Sequence, residues 1–114
     1  MIEYEALKNC NKAILLNPQN ILEHKKRGVI NADLGNIKEA VEDYNRAILI
    51  NPTDISAYFS RGTLKADLGD FEGAKKDFET AQKLNNRITK SHNLIKSQIN
   101  PERLIFLNQI LRSS

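Results

Sequence analysis

At 114 residues, with 40% hydrophobic and 27% charged side chains, the chain is long enough for one soluble domain and no more. Its 17 Lys+Arg against 14 Asp+Glu leave a net charge of +3, a mild excess far from the clustered positive field of a nucleic-acid binder. No apolar run approaches the ~18–20 residues of a membrane span, the first ten residues lack a signal peptide's layout, and one cysteine cannot close an internal disulfide, all of which fit a cytoplasmic protein.

Residues 1–18 read as a single helix carrying Ala6, Cys10, Ala13 and Leu16. Asn20 then caps a helix from Ile21, with Glu23 three residues on as in a capping box. That helix runs to about Leu34 and is closed by Gly35, which can take the left-handed conformation of a helix end. Asn36 caps the next helix, with Glu39 again three residues on. Over residues 37–50 it aligns Ile37, Ala40, Val41, Tyr44, Ala47, Ile48 and Leu49 in an apolar stripe, and Pro52 ends it. The plan repeats: Asp54 caps 55–68, Gly69 stops it, and Asp70 caps 71–84. Residues 87–99 resemble another first helix. Pro101-Glu102 then opens a last one through about Leu111, in which Leu104, Ile105, Phe106, Leu107, Ile110 and Leu111 cover more than one face.

The repetition has a fixed period of 34 residues. Residues 21–54 laid on 55–88 share 11 identities, among them Arg27/Arg61, Gly28/Gly62, Gly35/Gly69, Ala40/Ala74, Asp43/Asp77 and Ala47/Ala81. Such a period predicts stacked units, each burying its apolar face against its neighbours. Gly28 and Gly62 fall mid-helix, where glycine costs up to ~1 kcal/mol relative to alanine, so a close helix approach is expected there. Arg27 with Asp43 and Arg61 with Asp77 recur at matching phase and predict an ion pair within each unit, worth ~0.2–1 kcal/mol if exposed. A ligand-anchoring role for these arginines is the alternative.

These positions carry a resemblance. Gly28, Gly35, Ala40, Tyr44, Ala47 and Pro52, and again Gly62, Gly69, Phe71, Ala74, Phe78 and Ala81, make residues 1 to about 88 similar to the tetratricopeptide repeats. The resemblance implies an all-α fold of antiparallel helix-turn-helix repeats stacked into a right-handed superhelix. Its parts are a half repeat at 1–18 (second helix only), full units at 19–52 and 53–86, and capping helices at 87–114. Departures are His24 where an aromatic is usual, Asn86 in place of a proline, and Asn31 and Lys65 at a slot often large and apolar. The last predicts looser packing.

No catalytic equipment is visible. Cys10 sits at the buried phase of Tyr44 and Phe78, where a thiol is inert. His24 and His92 share a phase but lack further ligands, so they read as packing residues rather than metal ligands. The glycines do not form a phosphate cradle, and neither cofactor nor metal is expected. The expected partner is a protein or peptide. Resemblance implies that first helices line a concave groove, holding Leu22, Lys25, Val29, Ala32, Asp33, Phe59, Ser60, Thr63, Lys90, Asn93 and Leu94. One branch of the family clamps the C-terminal carboxylate of chaperones there. Lys25 and Lys90 match that clamp, but Val29, Ser60 and Leu94 replace its Asn, Asn and Arg. Phe59 with Leu22, Val29 and Leu94 suggests a mixed apolar–polar groove for a peptide or helix, unless the chain's own last helix covers Phe59. The competing expectation is self-assembly, a homodimer through Leu104, Ile105, Phe106, Leu107, Ile110 and Leu111.

Overall fold

The computed structural model describes residues 2–98 and 108–112, the side chains of 95–98 excepted. Among the described residues, helices α1 Ile2–Leu16, α2 Ile21–Asp33, α3 Ile37–Ile50, α4 Ile55–Asp67 and α5 Phe71–Gln98 follow one another. They belong to two compact units, Met1–Lys83 and Leu84–Ser114. Residues 108–112 are helical.

In the first unit sequential helices pack side by side, α1 on α2, α2 on α3 and α3 on α4. The turns explain why. The Asn36 amide bonds the Asn31 carbonyl at 2.8 Å while Gly35 bonds Ala32, and Asp70 to Lys65 with Gly69 to Ala66 repeats this one period later. This six-to-one closure needs a left-handed residue, which Gly35 and Gly69 supply at φ +84°. At the helix starts, Asn20 accepts from the Glu23 amide, Asp54 from Ala57 and Asp70 from Gly73. Asn36 departs from expectation. Its side chain makes no cap bond and instead donates to Asn31 Oδ1 at 3.4 Å.

The core is built of small residues around one ring. Ala40, Tyr44, Ala47, Ala57 and Leu64 are buried together, with Ile21, Ala32, Ile37, Val41 and Ile48 packed against them. The mid-helix glycines hold the close approach. A Cβ on Gly28 would stand 2.8 Å from the Tyr44 ring, and one on Gly62 2.9 Å from that of Phe78. Leu49, placed in the stripe from sequence, is 75% exposed instead. Two residues past Ala47 it lies about 200° around the helix, on the far side. Leu16 is likewise exposed, although Ile50 at the same phase is half-buried.

A polar ladder crosses the small-residue core. Arg27 binds Asp43 at 2.7–2.8 Å and also donates to Asn11 of α1 at 3.0 Å. One period later Arg61 grips Asp77 at 2.6–2.8 Å and donates to Asn45 of α3 at 2.9 Å. Each arginine therefore ties its own unit to the helix before it. These are the ion pairs within each unit expected from sequence, and with Asp43 and Asp77 only 2–3% exposed, the magnitude of an exposed pair does not apply to them. The Arg61 guanidinium, hydrogen-bonded to Asp77, is held even more firmly protonated than usual. Asn31 and Lys65, at the slot often filled by a large apolar residue, serve these carboxylates. Asn31 is buried and donates to Asp43 at 2.9 Å, and Lys65 reaches Asp77 at 3.5 Å. The slot is polar because a buried carboxylate needs a second donor.

The expected helix end near 84 does not occur: α5 continues to Gln98. Pro52 ends α3 by withholding an amide and blocking the preceding turn, whereas Asn85-Asn86 merely has modest helix propensity.

Candidate interaction groove

The first helices of the two repeats, α2 and α4, flank a surface cavity of about 250 Å³ lined by Val29, Ala32, Asp33, Tyr44, Phe59, Ser60, Thr63 and Leu64. Helical spacing explains the set. Val29, Ala32 and Asp33 share one face of α2, while Phe59, Ser60 and Thr63 share one face of α4. Tyr44 of α3 and Leu64 form buried parts of the lining. Phe59 rests on Phe78, ring centroids 5.4 Å apart and tilted 55°, yet remains 59% exposed. Val29 is 52% exposed. The groove thus presents two large apolar side chains to water.

Toward the N-terminal ends of these helices, Lys25 is already engaged. Its ammonium donates to Asp54 Oδ2 at 2.9 Å and Ser56 Oγ at 2.7 Å, a clasp between α2 and α4. Burial by itself would raise the Asp54 carboxyl, but bonds from Lys25, Ser56 and the Ala57 amide outweigh it and hold the group below its ordinary value. Leu22, one turn before Lys25, is exposed. Of the residues expected in the groove, Val29, Phe59, Ser60 and Thr63 therefore meet in one cavity, and Lys25 spans its two walls. Lys90, Asn93 and Leu94 are exposed on the distal part of α5, in the second unit. Ile110 and Leu111 are also exposed, whereas Leu104, Ile105, Phe106 and Leu107 lie outside the described residues.

Sequence reasoning missed the Asp54 clasp and the two asparagines of the ladder. Asn11 and Asn45 stand one period apart at the ladder's phase, a signal that was there to read.

The expected packing role of His24 holds. Its ring is 4% exposed and Nε2–H donates to the Pro18 carbonyl at 2.8 Å, as the Tyr58 hydroxyl does to Pro52 at 2.8 Å. The imidazole Nδ1 is left buried with no partner among the described residues. Beside it, Ile14, Pro18, Gln19, Arg27, Arg46, Leu49 and Ile50 line a further cavity of about 490 Å³. Cys10 is buried as expected, and burial, with Glu23 beside it, pushes its thiol up.

Two family models match this arrangement, one described as TPR repeat over residues 28–69 and one as tetratricopeptide repeat over 55–87. The chain is a tetratricopeptide repeat protein. Its fold is accordingly the all-α solenoid of that family. The crystal structure of MamA is 28% identical to this tetratricopeptide chain, with a TM-score of 0.75 over 77% of the chain and 52% of MamA. The chain spans about half of that protein's length. The second TPR of Spaghetti (RPAP3), bound to the HSP90 peptide SRMEEVD, is 29% identical, with a TM-score of 0.69 over 72% of this chain and 76% of that one. The Arabidopsis OM64 TPR domain is 26% identical, with a TM-score of 0.65 over 78% and 82% respectively. No curated protein matches the sequence. No helix among the described residues is long and apolar enough to cross a membrane.

Proposed function

We propose that the chain is a protein-interaction scaffold without chemistry of its own, holding a peptide or protein segment in the groove between α2 and α4. The observation that carries this is the exposed pair Val29 and Phe59 over a cavity of about 250 Å³. Such a volume is below the ~300–1,000 Å³ of small-molecule pockets and suits single side chains of a peptide. Peptide occupancy of the Spaghetti relative supports the reading. Leu22, exposed on α2 in the same unit, extends the proposed contact surface.

The test is a titration of the labelled full chain with a panel of capped peptides, followed by nuclear magnetic resonance. Amide shifts centred on Val29, Phe59, Ser60 and Thr63, with affinity reduced about tenfold or more by Phe59→Ala, are the expected result. Shifts confined to the opposite faces, or affinity unmoved by that substitution, refute it. The peptide SRMEEVD itself is not expected to bind, since Val29 and Ser60 offer no amide donors and Lys25 is engaged by Asp54.

Self-association through the segment Leu104–Leu111 is a second reading, favoured by Ile110 and Leu111 being 48% and 64% exposed. Light scattering decides it. A dimer that becomes monomeric when the chain ends at Ser97 supports it, and a monomer in both forms removes it.

A further inference from the structure

We infer that the groove selects a cationic partner: a segment in which a bulky apolar residue is followed closely by Lys or Arg. This rests on the groove reading above and names the chemistry of its occupant. Among the described residues lining the cavity, Asp33 alone carries a charge. Asp33 is the last residue of α2, and Asp67 holds the same place at the end of α4. Both are exposed, and neither has a hydrogen-bond or ion-pair partner among the described residues. A carboxylate at a helix C-terminus stands beside carbonyls that already make that end negative, so the two sites combine rather than cancel. The cation that could offset them, Lys25, is committed to Asp54 and Ser56 near the other end of the helix.

The polarity of the groove follows. One end is an apolar seat made by Val29, Phe59 and the edge of Tyr44, and beside it stands an unneutralised carboxylate. An acidic peptide would bring like charge to Asp33 and find no free ammonium at Lys25. A lysine or arginine adjoining the seated side chain would complete the charge and lay its methylenes along Ala32.

Three capped eight-residue peptides test this against the full chain by fluorescence anisotropy at low salt. One carries Leu-Phe followed by two lysines, one has glutamates in place of the lysines, and one has alanines in place of Leu-Phe. The lysine peptide is expected to bind about tenfold tighter than the glutamate peptide, and the preference to fall to about threefold or less in Asp33→Asn and at high salt. The alanine peptide is expected to bind at least about tenfold more weakly than the lysine peptide. Asp33 is exposed, unbonded and set against the negative end of its helix, so Asp33→Asn does not lower the thermal melt. Equal binding of the two charged peptides, still lost in Phe59→Ala, overturns the cationic preference and leaves the groove standing. A lysine preference untouched by both Asp33→Asn and Phe59→Ala places binding elsewhere and overturns both readings. No saturable binding by any of the three also overturns the inference.

Discussion

Tyr44 of the first full repeat is 4% exposed, whereas Phe78, at the same phase of the second, is 36% exposed. The helices carrying them share their alanines, their aspartate and the glycine they oppose. What differs is the neighbour. Ala57 and Leu64 of α4 join Tyr44 in the buried cluster, while Phe78 meets Phe59 at the groove surface. Burial in a stack is assigned by position in the row, not by the local sequence alone. The same contrast runs through the polar ladder, where Asp43 is served by an arginine and a neutral Asn31 but Asp77 by an arginine and Lys65.

The ladder is where the two repeats should separate most. Arg27→Ala leaves Asp43 buried with no cation and is expected to cost about 3–5 kcal/mol in urea unfolding. Arg61→Ala should cost clearly less, because Lys65 stays within 3.5 Å of Asp77. Equal losses would mean that the second donor does not matter. Next comes the helix crossing. Gly28→Ala drives a methyl into the buried Tyr44 ring, which must shift out of its packed place, and should cost about 1–3 kcal/mol. Gly62→Ala meets a half-free Phe78 ring that can swing and the Ala74 carbonyl oxygen 3.2 Å away, so its cost should be smaller than that of Gly28→Ala but not absent. A melt series on the two variants checks the order.

A smaller effect concerns the residue that reaches back to the proline carbonyl. His24→Tyr copies Tyr58, keeps the bond to Pro18 and removes a buried acceptor without a partner, so a gain of about 1 kcal/mol is expected. The cavity beside His24 gives the larger ring room. Loss of stability instead would show that Nδ1 has a use. The smallest effect is a matter of pH. The Asp54 carboxyl is held below its ordinary value, so its contribution is present above the carboxylate range and fades as pH falls through that lowered value. A Lys25→Met variant should melt lower than the parent at neutral pH, and the gap should close in acid. A gap that persists in acid would assign the effect to lost packing.

Helix order, turn glycines, capping by Asn20, Asp54 and Asp70, and the small-residue crossing could all be read from one chain, because a repeat states each rule twice. The groove was legible only as a set of phases. Val29, Phe59, Ser60 and Thr63 fall on the right faces by helical geometry, but nothing local says that Lys25 is already held across the groove or that Tyr44 helps to line the cavity. Those facts depend on the separation of α2 and α4, set by packing against α3. Asn36 and Leu49 failed for different reasons: a capping residue bonded a side chain instead of the helix end, and an apolar residue fell on the helix face opposite the core.

Sequence alone determined the period, the helix pairs and the family, since these follow from spacing, capping and backbone freedom along a few turns. Tertiary structure decided which aromatic knob is buried, which carboxylates are neutralised and which face remains open. Those outcomes depend on distances between side chains a full repeat apart, which helical periodicity by itself does not specify.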